Sequence, residues 1–160
     1  MEVRKILKTE QGLLDIITDW MYDWWGEDLH RTYEEVKHFT EHSAEDDRLP
    51  QTYGLFVEGE LVGVYQFRLD DLFVRPDIYP WLANVYVAKE HRGKGYGKAL
   101  NESVLQMARD NLDCDELYLY THHVGLYDKY GWEYVSQIDT VTSEPRMQLF
   151  YKLKLREEQP

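Results

Sequence analysis

Apolar positions recur along this chain at two spacings, and the switches between them mark its elements. Residues 3–7 read as a first strand. From 11 to 25 the spacing is helical. Leu13, Ile17, Trp20 and Trp24 share one face, Leu14, Met21 and Trp25 lie beside it, and Gly26 is expected to end the helix. Thr32 followed by Glu35 is a capping box. It opens a second helix that runs to about His42 and turns Tyr33, Val36, Phe39 and Thr40 to the core. Residues 53–58 and 61–69 read as strands of a hairpin that turns at Glu58-Gly59-Glu60. The stretch 70–80 carries Pro76 and Pro80 and reads as an irregular loop. Residues 82–87 are apolar and β-branched, a buried strand; from Gly97 onward Leu100, Val104, Met107 and Ala108 repeat as in a helix. A strand at 113–120, a short helix carrying Leu126, Tyr127 and Tyr130, a hairpin of 132–141 with 146–155, and a polar tail at 156–160 complete the chain. The order β, α, α, β, β, β, α, β, α, β, β predicts a mixed α/β fold with a mostly antiparallel sheet, in one domain spanning 1–160.

Between the strand ending at Val87 and the helix beginning near Gly97 lies Arg92-Gly93-Lys94-Gly95-Tyr96-Gly97. Strand, glycine turn and helix is an arrangement that aims backbone N–H groups at an anion, because the first N–H groups of a helix have no internal partner and the dipole adds positive potential. Alternate glycines remove the side chains that would hold a phosphate away. Local charge agrees: residues 89–98 sum to +3 in a chain of −12. Two other phosphate loops fit less well. A Walker loop needs Ser or Thr where Ala99 stands and a first glycine where Arg92 stands; a dinucleotide fingerprint needs its third glycine where Lys98 stands.

The pattern R-x-x-G-x-G formed by Arg92, Gly95 and Gly97 resembles the acyl-CoA-binding motif of the GNAT superfamily of N-acetyltransferases. Downstream, Leu126-Tyr127-Asp128-Lys129-Tyr130-Gly131-Trp132 is similar to that family's second signature, L-Y-x-K-x-G-[FW]. The two motifs stand in the family's order. The resemblance implies acetyl-CoA as co-substrate, its pyrophosphate held by the N–H groups of Gly93, Lys94, Gly95, Tyr96, Gly97 and Lys98, with Arg92, Lys94 and Lys98 supplying charge. It implies a pantetheine arm lying along Val85, Tyr86 and Val87, whose N–H groups polarise the acetyl carbonyl, and a sheet splayed open between that strand and the next. It implies Tyr127 as the acid that protonates the departing thiolate, a role suited to a hydroxyl with an ordinary pKa of about 10. The base stays open among His122, His123, Asp71, Asn84, Glu34 and water. Core packing is the ordinary explanation of the Trp20–Trp25 aromatic stripe; the resemblance adds an acceptor wall of Trp24 and Trp25 with Asp23, Glu27 and Asp28.

Composition narrows the partners. A chain 43% hydrophobic and 14% aromatic folds despite its 30% charged residues. Its net charge of −12 disfavours nucleic acid; it suits a cationic acceptor, and equally it serves only to keep the protein in solution. A lone cysteine, Cys114, excludes an intramolecular disulfide. His38 and His42 are one helical turn apart but lack a nearby third ligand, so no metal is expected. Without a signal-like or membrane-length apolar run, the chain reads as cytoplasmic with no membrane partner. The expected function is acetyl transfer to a primary amine of a small molecule or peptide, the alternative a CoA-binding sensing or interaction module. Acceptor identity, acyl-group range and oligomeric state are left open, though an exposed final hairpin could pair two subunits as a homodimer.

Overall fold

The computed structural model describes residues 1–157. Its elements are β1 (Glu2–Ile6), α1 (Gln11–Met21), a π-helical turn (Tyr22–Gly26), α2 (Tyr33–Glu41), β2 (Gln51–Val57), β3 (Glu60–Arg68), β4 (Trp81–Val87), a 3-10 turn (Lys89–His91), α3 (Tyr96–Asn111), β5 (Glu116–Thr121), a second 3-10 turn (Tyr127–Tyr130), β6 (Glu133–Asp139) and β7 (Met147–Lys154). This is the mixed α/β order that the apolar spacing predicts, with one 3-10 turn where a short helix was expected. The last three residues of the expected polar tail lie outside the described residues.

The chain forms two compact units. The first holds Met1–Phe67 and Asn84–Leu100; the second holds Arg68–Ala83 and the chain from Asn101 onward. Strand β4 therefore changes unit at Asn84. In the first unit β1, β2 and β3 pair antiparallel in that order and β3 neighbours β4. In the second, β4 meets β5 in parallel at Trp81 opposite Tyr118, and β5, β7 and β6 pair antiparallel. The hairpin between β2 and β3 turns on Glu58 and Gly59, both at positive φ (50° and 80°), with Val57 opposite Glu60. Two positive φ values in a two-residue loop match the right-handed twist of the strands, and glycine supplies one at no steric cost.

Each unit has its own apolar cluster. In the first, Ile6, Leu14, Ile17, Met21, Val64 and Tyr86 are buried together. Each fully buried aliphatic side chain there contributes about 1.5–3 kcal/mol. In the second, fully buried Trp81 packs with Leu72 and Ile138 and meets the rings of Tyr118 and Tyr120 edge-on at 6.3 and 5.8 Å. The capping box forms as read: Thr32 Oγ1 accepts from Glu35 N–H, and the Glu35 carboxylate accepts from Thr32 N–H.

One expectation for the N-terminal helices holds and one is corrected. The helical run ends at Gly26, reached through a widened turn in which Glu27 N–H donates to Tyr22 O across five residues at 3.0 Å. Glycine is needed there for proximity, since a Cβ would stand 2.8 Å from Val36 Cγ2 of α2. Tyr33 does not face the core. It is 43% exposed, and its hydroxyl donates to Asp19. A polar partner one helix away holds the ring at the surface, where periodicity alone put it inside.

Candidate active site

The first unit carries the glycine turn. Gly93 and Gly95 have φ of +79° and +83°, values that L side chains rarely adopt, and nothing lies within 4 Å of where either Cβ would stand. The backbone is thus bent by residues that leave its amides approachable. The turn delivers the chain into α3, a 16-residue helix with no acidic side chain in its first turn, so the dipole there is not neutralised. Arg92, Gly93, Lys94, Gly95 and Lys98 are exposed; Tyr96 and Gly97 are half-buried. Of the nearby cations, Lys89 turns away to pair with Asp23 of the π turn at 2.7 Å. Arg92 turns back: its Nε donates to Val87 O at 2.9 Å and its guanidinium lies over the Tyr86 ring at 5.2 Å.

Strand β4 supplies Val85, Tyr86 and Val87 to the same unit. Tyr86 is buried among aromatics, its ring 5.6 Å from Trp20 and 5.3 Å from Trp24. The expected pair of tryptophans separates. Trp24 stays 41% exposed against Tyr86, whereas Trp25 packs edge-on to Phe39 at 5.2 Å and donates its N–H to Met21 Sδ. Trp25 instead lines a cavity of about 270 Å³ with Leu29, Val36 and Phe39, on the α2 side of the turn.

Just before Val85 the strand is irregular. Asn84 has φ of +54°, and the burial alternation slips there, with Asn84 and Val85 both half-buried in succession. Its side-chain amide donates to Gln66 Oε1 at 2.9 Å. Gln66 Nε2 donates to Thr52 Oγ1 at 3.2 Å, and Thr52 Oγ1 donates to Ser43 O at 2.7 Å. Gln66, Thr52 and Ser43 are all buried. Sequence reasoning missed this chain. A glutamine inside the apolar run of β3 was the signal available for it.

The second unit carries the second motif. Tyr127 opens the 3-10 turn, which Gly131 closes in the left-handed region at φ +87°. Trp132 then folds back, its N–H donating to Tyr127 O and its buried ring meeting Tyr127 edge-on at 6.1 Å. Burial, with a smaller contribution from Tyr130, pushes the Tyr127 hydroxyl up to about 12, so it stays protonated at neutral pH. Asp128 accepts from the Tyr151 hydroxyl at 3.1 Å, which ties the turn to β7.

The base candidates differ in setting. His122 and His123 are exposed, with their rings 4.2 Å apart. Glu34 is exposed beside His38. Asp71 is half-buried in the second unit, and its backbone carbonyl accepts from the Tyr120 hydroxyl at 3.4 Å. Burial pushes its carboxyl up to about 6, opposed by Arg68 and helped by Asp70. The Asn84 side-chain amide donates within the first unit, to Gln66 Oε1. Among the described residues no group of three or more His, Cys, Asp or Glu could hold a metal ion, and no helix is long and apolar enough to cross a membrane.

Comparison with known proteins accords with this geometry. The sequence profile of the acetyltransferase (GNAT) family matches residues 14–132, and the chain belongs to that family. A probable spermine N(1)-acetyltransferase of Bacillus subtilis subsp. natto (strain BEST195) is 29% identical over 96 residues, 54% of this chain and 61% of that one. The match thus spans less than two thirds of the relative. Among solved structures, an aminoglycoside 6'-N-acetyltransferase complexed with coenzyme A aligns over the whole of both chains with a TM-score of 0.75 at 13% identity. A ribosomal-protein-alanine N-acetyltransferase from Brucella melitensis aligns over 97% of this chain and all of that one, with a TM-score of 0.69 at 22% identity. At such identities these likenesses concern the fold.

Proposed function

We propose that this protein is an acetyl-CoA-dependent N-acetyltransferase acting on a primary amine of a cationic small molecule, of the polyamine type. The observation that carries the reading is the open, left-handed Gly93/Gly95 turn leading into a long helix without first-turn acids. In this reading the amides of residues 93–98 receive the CoA pyrophosphate, with Arg92, Lys94 and Lys98 adding charge. Val85, Tyr86 and Val87 take the pantetheine arm, and their N–H groups stabilise the oxyanion as charge develops. The amine nitrogen attacks the thioester carbon, the C–N bond forms, and the C–S bond breaks. The amine proton leaves to a base or to water, and the Tyr127 hydroxyl gives its proton to the departing thiolate. The spermine acetyltransferase relative and the net charge of −12, which concentrates cations near the protein, support a polyamine acceptor.

The test is a calorimetric titration with acetyl-CoA beside a thiol-release assay over spermine, spermidine, an aminoglycoside, an amino acid and a peptide. Binding together with release on spermine or spermidine is expected. Tight binding with no release on any amine would leave a CoA-binding module without transfer activity. Failure to bind acetyl-CoA would overturn the assignment.

A further inference from the structure

The chain of side chains behind β4 has a fixed direction. A backbone carbonyl only accepts, so Ser43 O compels Thr52 to donate its hydroxyl proton. Thr52 Oγ1 then accepts from Gln66 Nε2, which turns Gln66 Oε1 toward Asn84 and leaves it as an acceptor for the Asn84 amide. Four residues, from Ser43 just past α2 to Asn84 in the middle of β4, are thereby locked in one donor order. Burying an amide such as that of Gln66, which has no exposed surface, is costly unless it is hydrogen-bonded, and here the bonds are made.

The far end of this chain is the irregular point of β4. A non-glycine residue at φ +54° inside a strand is uncommon, and asparagine tolerates it better than most. Such a residue breaks the ladder locally and re-aims the peptide groups that follow. The residues that follow are Val85, Tyr86 and Val87. Just past them, Ala88 N–H donates to Val62 O at 2.9 Å.

We propose that Gln66 is a positioning residue: by accepting the Asn84 amide it holds the left-handed kink of β4 and so aims the amides of Val85–Val87 at the acyl end of the co-substrate. This rests on the acetyl-transfer reading above for its purpose, though not for its geometry. Losing Gln66 strands the Asn84 amide and lets the kink relax toward ordinary strand geometry. Glycine at position 84 needs no tether to keep a positive φ, so it restores what the loss of Gln66 removes.

The experiment compares full-length, 15N-labelled wild type with Gln66→Leu, the milder Thr52→Val, and the double variant Gln66→Leu/Asn84→Gly. The 15N and 1H amide shifts of Val87, acetyl-CoA affinity and turnover of spermine are measured on each. Gln66→Leu is expected to move the Val87 amide resonance and to lower kcat at least tenfold, with acetyl-CoA Kd within threefold of wild type. Thr52→Val is expected to follow in the same direction by less, and the double variant to recover at least a third of kcat and to bring the Val87 resonance back toward wild type. An unmoved Val87 resonance in Gln66→Leu overturns the proposal. So do shifts spread evenly over β2 and β3 with no rescue by glycine, which is the mark of a purely structural role. If wild type itself fails to bind acetyl-CoA, the functional reading falls, while the Val87 shift and its rescue still decide whether Gln66 holds the kink.

Discussion

Arg92 is clamped to the strand it follows: its guanidinium lies 5.2 Å from the centre of the Tyr86 ring while its Nε donates to Val87 O. The charge at the mouth of the glycine turn is thus held in place by a cation–π contact and a bond to the strand end. Lysine keeps the charge but loses the forked donor geometry. Arg92→Lys is expected to weaken acetyl-CoA binding about tenfold, corresponding to roughly 1.4 kcal/mol, with little change in Tm. Calorimetry on the variant checks this; an unchanged Kd removes Arg92 from the cofactor site.

Gly95 tests the turn itself. At φ +83° an added Cβ meets no neighbour, so the cost of Gly95→Ala is backbone strain of about 1–2 kcal/mol rather than a clash. The methyl group would stand where a phosphate approaches. Acetyl-CoA affinity is expected to fall more than tenfold, while Tm falls by only a few degrees. Gly97→Ala is the control: it lies within α3, with Val87 Cγ2 at an ordinary contact distance of 4.0 Å, and is expected to keep stability. Paired titrations and melting curves separate the two.

Tyr127→Phe removes the hydroxyl and keeps the ring that packs on Trp132 and Tyr151. We expect kcat to fall on the order of 10²-fold, the scale of lost general acid catalysis, with acetyl-CoA Kd within twofold. Because the hydroxyl is pushed up to about 12, it remains a proton donor through pH 10, and a loss of wild-type kcat below that pH must come from another group. A pH–rate profile tests this. The same shift makes stability fall as pH rises from about 10 toward about 12, since the unfolded chain ionises first.

Asp71 carries a charge that the fold tolerates poorly. Its carboxyl is pushed from 3.8 to about 6, first by burial, with Asp70 adding to the effect and Arg68 opposing it. A raised carboxyl costs nothing below pH 3.8, and the cost grows as pH climbs to about 6 and then levels off. Asp71→Asn is therefore expected to stabilise the protein by about 3 kcal/mol above pH 7 and about half that at pH 5. Urea unfolding at the two pH values measures it. Equal gains at both would show that the charge is not the cause.

Much of the fold was legible because its signals are local. The capping box, the two-residue hairpin turn and the glycine turn before α3 each rest on a residue whose own chemistry selects the geometry. The second motif formed for the same reason, with Gly131 supplying the left-handed residue that closes the turn after Tyr127. What escaped depends on distant neighbours. Tyr33 has the spacing of a core residue but is held outside by Asp19, fourteen positions earlier. Trp24 and Trp25 have the same side chain and part company only because Tyr86 waits on one side and Phe39 on the other. The kink at Asn84 answers to Gln66, eighteen residues upstream, and no repeat along β4 announces it.

The widened turn at Tyr22–Gly26 makes this corner sensitive to length rather than to chemistry. Each helical residue advances the chain by about 100° around the axis. Cutting out one residue there would let the wide loop tighten to ordinary pitch and leave the side chains beyond it in register, while those inside the turn would be redistributed. The indole now facing Tyr86, or the one on Phe39, would be lost from its place. One residue more or fewer thus decides which side chain meets which neighbour in this corner.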